Sequence, residues 1–164
     1  MANAAAVTIR HGTPADRGPL ERLVAALQDD GRGYDPALAT GERVTAMGSV
    51  DAMLAYASQE RGLCLVAEFA GALVGYAGCS LVVDEDMWTD PAWSRSVHLQ
   101  ELFVAPAFRR RGIARRLIEE VEAHARRLGV PRILVTANAS NPESCGAYRA
   151  SGFTDHKILF EKKL

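Results

Sequence analysis

The chain has 164 residues, 48 % of them hydrophobic and 24 % charged, with 19 Lys and Arg against 20 Asp and Glu. A chain this long hides roughly 70 % of its unfolded surface on folding, enough for one core and too little for two ordinary domains, so residues 1–164 read as a single domain. The net charge of -1 argues against a dedicated nucleic-acid binder, which is normally strongly basic. Cys64, Cys79 and Cys145 are odd in number and lack C-x-x-C spacing, so they form neither a disulfide framework nor a zinc cluster; three reduced thiols suit the cytoplasm. No metal site is expected. No stretch approaches ~18 consecutive apolar residues, and the first dozen residues lack a basic segment followed by a long apolar run, so neither a membrane span nor a signal peptide is expected.

Val7–Arg10 predicts a short strand. Thr13-Pro14-Ala15-Asp16 reads as a helix start, and Leu20, Leu23, Val24 and Leu27 give the helix one apolar stripe. The run Gly31–Pro36 breaks it. A loop follows, then a second helix near Val50–Gln59. Leu63–Phe69 and Ala72–Val83, joined by Ala70-Gly71, predict a hairpin. The loop Asp84–Trp93 carries four acids, two Trp and no basic residue, a combination that suits a cation. Val97–Val104 predicts a strand, Gly112–Leu128 a long helix stopped by Gly129, and Ile133–Ala137 a buried strand. Pro142–Ala150 predicts a short helix, and Phe153–Leu164 a last strand or hairpin. The early strands should pair antiparallel, and the strand–helix–strand unit from Val97 to Ala137 should be a right-handed parallel crossover.

The strongest local signal is Phe108-Arg109-Arg110-Arg111-Gly112-Ile113-Ala114, between a strand and the long helix. Helix N-termini carry unpaired amides and partial positive charge, so they bind anions. Gly112 and Ala114 would let phosphates approach the backbone. Residues 107–132 hold eight Arg and three Glu, a local charge of +5.

Arg109-x-x-Gly112-x-Ala114 resembles the Q/R-x-x-G-x-G/A acetyl-CoA motif of the GNAT superfamily of N-acetyltransferases. Leu99–Pro106 is similar to that family's fourth strand and the turn after it. Asn141–Phe153 is similar to its N-x-x-A-x-x-L-Y-x-x-x-G-F signature, with Ser144 where Ala is usual. The resemblance implies an α/β fold with a mixed, mostly antiparallel seven-stranded sheet and about four helices on both faces. It implies transfer of an acetyl group from acetyl-CoA to a primary amine, of a small molecule or a peptide, by direct attack in a ternary complex. It is compatible with a homodimer. The fourth-strand backbone of Leu102, Phe103 and Val104 would then take the pantetheine arm. The amides of Arg109, Arg110, Arg111, Gly112, Ile113 and Ala114 would take the pyrophosphate, Asn141 would hydrogen-bond the arm, and Tyr148 would sit beside the sulfur. The alternative reading is a catalytically silent acyl-CoA sensor of the same fold.

Amide formation from a thioester needs a neutral amine, a held oxyanion and a protonated leaving thiolate. A backbone N–H of the fourth strand could serve as oxyanion donor. The base is open between His98, Glu101 and water. Histidine in general titrates near ~6.5, and Glu101 is a charge among apolar neighbours. Strict alternation puts His98, Gln100, Leu102 and Val104 on one face and Val97, Leu99, Glu101 and Phe103 on the other. His11, His124 and His156 read as surface residues.

Overall fold

The computed structural model describes residues 6–59 and 61–162. Strand β1 (Thr8–His11) leads through a turn at Pro14–Asp16 into helix α1 (Arg17–Arg32), followed by α2 (Gly41–Ala46) and α3 (Ser49–Ser58). Strands β2 (Gly62–Phe69) and β3 (Ala72–Val83) form the hairpin, and β4 (Arg95–Val104) follows the acidic loop. Helix α4 (Ile113–Arg127), β5 (Ile133–Val135) and α5 (Pro142–Ala150) complete the order. The hairpin turns on Ala70 and Gly71, both at positive φ, the conformation that matches the twist of two-residue hairpins.

The five described strands form one sheet in the order β1-β2-β3-β4-β5. The first three pairings are antiparallel and β4·β5 is parallel, as expected. Two differences from the sequence reading stand out. Residues 153–162 form no strand, so the sheet has five described strands rather than seven. The presumed loop after α1 holds α2, whose start is capped by the Thr40 hydroxyl accepting from the Arg43 N–H. This helix is too short for periodicity to reveal.

Two apolar clusters flank the sheet. On one face Ile113, Leu117, Ile118 and Val121 of α4 pack on Leu65, Ala77, Val97 and Leu99, with Tyr148 and Phe153 against them. On the other, Leu20 and Val24 of α1 and Val50 of α3 pack on Val66, Tyr76 and Phe103. His124, expected at the surface, is buried at the end of α4. That burial, with Arg127 beside it, holds its pKa below the usual histidine range.

At the sheet entrance, Arg10 donates to both oxygens of Asp16 at 2.8 Å and also to Glu68. The Thr13 N–H and hydroxyl donate to the same Asp16 carboxylate. These bonds, led by Arg10, hold the Asp16 carboxyl well below the ordinary carboxylate range.

Candidate active site

β4 is where the local structure departs most from a regular ladder. Gly78 pairs with Glu101, but Cys79 pairs with Leu99, so Gln100 is an extra residue without a partner on β3. This bulge breaks the alternation. Val97 and Leu99 pack in the α4-side cluster, and after the bulge so do Leu102 and Val104, while Phe103 joins the opposite cluster. Because directly paired residues share a face, His98 (opposite Ser80) and Glu101 (opposite Gly78) lie on the same face as Tyr76. The sequence reading had His98 and Glu101 on opposite faces. The bulge corrects it and brings the two candidate bases within roughly 7–10 Å of strand.

β5 pairs with β4 only at Val97, His98 and Leu99. From Gln100 to Val104, β4 therefore has no strand on its second side among the described residues. The Val104 carbonyl accepts from the Arg109 guanidinium at 3.0 Å.

The start of α4 follows β4 through the turn at Pro106–Phe108. Gly112 is the N-cap, at φ 74°, and no side chain caps the helix. Arg110 also has positive φ, 60°. Left-handed residues at 110 and 112 turn successive N–H groups into a concavity of the kind that holds anions. The amides of Arg110, Arg111 and Gly112 donate to no backbone carbonyl among the described residues, and those of Ile113 and Ala114 belong to the unpaired first turn. A Cβ at Gly112 would meet nothing within 4 Å, so the concavity is open.

Arg109 is engaged within the protein itself. Its N–H bonds to the Pro106 carbonyl. Its guanidinium pairs with Asp30 at 2.7 Å and Glu143 at 3.3 Å and lies 5.6 Å from the Phe103 ring. It clamps α1, β4 and α5 together, and the free amides begin at residue 110. Arg111 stacks on Phe108 at 5.1 Å. Asn141 has a second duty too: its side-chain oxygen accepts from the Ser144 N–H at 3.0 Å, capping α5, which leaves its NH2 group for a ligand.

Tyr148 projects from α5 against the α4-side core, with its ring edge-on to Phe153 at 5.7 Å. Burial, with Cys145 nearby, pushes its hydroxyl up to about 12. Glu101 lies on the other face. Burial pushes its carboxyl above the usual range, and the Tyr76 hydroxyl beside it pulls in the opposite direction. The Tyr76 hydroxyl, Glu101 Oε2 and His98 Nε2 are all buried without a hydrogen-bond partner of ordinary geometry. Tyr76 is fully buried and was not among the residues singled out from sequence; as one apolar position in a strand, it carried no signal.

His98 lines a cavity of about 500 Å³ with Leu134, Trp88, Trp93 and three acids of the β3–β4 loop. That loop is less negative than its own composition. Arg132 lies 4.0 Å from Asp84 and 6.0 Å from the Trp93 ring, and Lys157 faces Asp86. Asp86 and Asp90 also accept from the N–H groups of Trp88 and Ala92.

The sequence matches the Acetyltransferase (GNAT) family over residues 25–153. The chain belongs to this family of acetyltransferases. No curated protein matches it. Among solved structures it is similar to the aminoglycoside N-acetyltransferase AAC(6')-Iy in complex with CoA, at 22 % identity and a TM-score of 0.76, covering 99 % of this chain and 98 % of the other. It is similar to AAC(6')-Ih from Acinetobacter baumannii at 20 % identity and TM-score 0.72, covering 97 % and 99 %. It is also similar to glucosamine-6-phosphate N-acetyltransferase from Arabidopsis thaliana at 14 % identity and TM-score 0.67, covering 96 % and 98 %. Among the described residues no helix of this GNAT protein is long and apolar enough to cross a membrane.

Proposed function

We propose that this GNAT protein moves an acetyl group from acetyl-CoA to a primary amine, by direct attack in a ternary complex, as one domain working in the cytoplasm. The observation that carries the reading is the unpaired edge of β4 beside the uncapped, glycine-opened start of α4. The first is a ladder without a strand, suited to an amide-bearing pantetheine arm along Leu102, Phe103 and Val104. The second is an anion cradle suited to a pyrophosphate on the amides of residues 110–114. The Asn141 NH2 is free to hold the arm.

In this reading the amine enters through the cavity at His98 and gives its proton to Glu101, directly or through a water, with His98 as the outer acceptor. The raised carboxyl pKa makes Glu101 a better base than an exposed carboxylate. The nitrogen attacks the thioester carbon, and a β4 backbone N–H holds the oxygen while it carries charge. The C–N bond forms, the C–S bond breaks and the electron pair leaves with sulfur, while the nitrogen's second proton passes to solvent. Full proton transfer from Tyr148 at about 12 to a thiolate of ordinary pKa ~8.5 is uphill by ~5 kcal/mol. Tyr148 therefore stabilises the thiolate by a hydrogen bond, and solvent supplies the proton.

The solved relatives include enzymes of aminoglycosides and of an amino sugar phosphate. For this chain the acid-lined cavity favours a cationic amine. Thiol release from acetyl-CoA, measured with a panel of monoamines, polyamines, aminoglycosides and peptides, tests the reading. Turnover with at least one amine is the expected result. Tight CoA binding with no thiol release across the panel would make the protein an acyl-CoA sensor instead.

A further inference from the structure

One face of the sheet around β4 holds polar groups that the described residues leave unmatched. Ser96, His98 and Glu101 follow one another along β4 on that face, and Tyr76 stands beside them on β3. Arg132, two residues before Leu134, reaches the same face from the start of β5. The Val97 N–H donates to the Arg132 carbonyl at 3.1 Å, so the β4·β5 ladder carries on to this residue. The Tyr76 hydroxyl, Glu101 Oε2, His98 Nε2, Ser96 Oγ and Arg132 Nε are all buried without a hydrogen-bond partner. Buried polar groups are nearly always paired, so a row of unpaired ones marks a place built to meet a ligand rather than a core.

The row has two unlike ends. Glu101, a carboxylate, stands next to the unpaired edge of β4. Arg132, a guanidinium, stands at the other end, where it lines the cavity at His98. It spends one N–H on the Trp93 carbonyl at 2.9 Å. Asp84 lies 4.0 Å away, beyond hydrogen-bond reach. The Arg132 side chain is 23 % exposed, so donors remain for a ligand in the cavity. The charges lining the cavity are mixed in the same way: three acids of the β3–β4 loop against Arg132 and Lys157, a balance of -1 with His98 and His156 neutral. A polycation entering here meets both cations as well as the acids, whereas an amine that also carries an anion finds a partner for each charge.

We infer that the acceptor is a zwitterion, an ω-amino acid whose amine reaches Glu101 and His98 while its carboxylate lies on the Arg132 guanidinium. A guanidinium with spare donors takes a carboxylate in a forked pair. One such pair matches a single negative charge; a phosphate dianion would add a second to a cavity already net negative. The spacing favours a long chain over an α-amino acid held by its α-amine. Two residues of strand, ~7 Å, separate Arg132 from Leu134 opposite His98, and Glu101 lies further along β4. Amine and carboxylate therefore sit at opposite ends of a chain of several carbons. The inference rests on the acetyl-transfer reading for what happens to the amine; the choice of ligand is its own.

Trp88 and Trp93 are the chain's two tryptophans and both line the cavity, so quenching of tryptophan fluorescence reads its occupancy without turnover. Hexylamine, hexamethylenediamine and ε-aminocaproate share one chain length and differ in the charge of the far end. ε-Aminocaproate should bind at least ~10-fold more tightly than either of the other two. Arg132→Gln should bring that ratio close to one. Lys157→Gln alters only an exposed side chain and keeps the test open if Arg132→Gln disturbs the fold. It should weaken ε-aminocaproate about threefold and tighten the diamine. A diamine that binds most tightly to the wild type, or a preference for ε-aminocaproate that survives both substitutions, would overturn the inference. Thiol release from acetyl-CoA with the same three amines keeps the two readings apart. A carboxylate preference in binding without thiol release would leave the ligand and sink the transfer, and release without that preference would do the reverse.

Discussion

The Tyr76 hydroxyl and the Glu101 carboxylate share one buried face of the sheet, one residue on each side of the β3–β4 ladder, and the bulge at Gln100 brings His98 to the same face. Burial pushes the Glu101 pKa up, and the hydroxyl restrains it. Tyr76→Phe should therefore raise the Glu101 pKa further and move the acid limb of the kcat/KM profile to higher pH. Glu101→Gln should lower kcat roughly 10²–10⁴-fold. The sign for stability is opposite. A carboxyl with a raised folded pKa costs stability once pH exceeds its ordinary value of ~4.3, and the cost is complete above the folded pKa. Glu101→Gln should thus melt at or above the wild-type temperature near pH 7. A Tyr76→Phe enzyme with an unmoved acid limb would separate this pair from the chemistry.

Gly112 combines a left-handed backbone with open space above it. Gly112→Ala costs conformational strain of ~1 kcal/mol but adds little bulk. Gly112→Asp adds a negative charge where the anion is proposed to lie. CoA affinity, by calorimetry, should fall at least ~30-fold for Asp, or about 2 kcal/mol, and much less for Ala. Equal small losses in both would trace the effect to strain, with no anion involved.

Tyr148→Phe keeps the ring that packs against Phe153 and removes the hydroxyl. CoA binding should be intact and kcat lower by roughly 10- to 10³-fold. A kcat within about twofold of wild type, measured on a good amine, would assign Tyr148 to packing.

Asp16 is held by Arg10 and by Thr13, so Asp16→Asn should cost about 2 kcal/mol. The folded pKa is depressed, so this stabilisation is complete above the ordinary carboxylate value of ~3.9. It is lost as pH falls toward the folded value. Melting curves of wild type and variant should diverge most at neutral pH and approach each other in acid. A constant difference down to pH 2 would contradict the assignment.

The acidic loop should act on substrate capture. Changing Asp84, Glu85 and Asp86 to Asn, Gln and Asn should raise KM for a dicationic amine more than for a monocationic one, with kcat and the KM for acetyl-CoA nearly unchanged. Because Arg132 and Lys157 already face two of these acids, Lys157→Gln should have the reverse effect and lower the dication KM. Both effects should shrink as salt rises. KM changes that do not depend on amine charge would reduce the loop to a solvated turn.

Much of this molecule is legible in the sequence because local chemistry set it. Pro142–Ala150 and the β2–β3 hairpin fall where the capping, apolar-run and turn signals put them, and Gly112 stands at a left-handed helix cap that few other residues adopt. Tertiary structure decided what needed a partner distant in sequence. The Gln100 bulge exists only in the register of β4 against β3, so strict alternation put His98 on the face opposite Glu101. The partners of the Arg109 guanidinium, Asp30 and Glu143, come from two other helices and carry no local signal. The loop read as -4 from its own residues, but Arg132 and Lys157 arrive from far along the chain to offset it. Composition counts charges, whereas a field depends on which charges the fold sets within a few ångströms of one another.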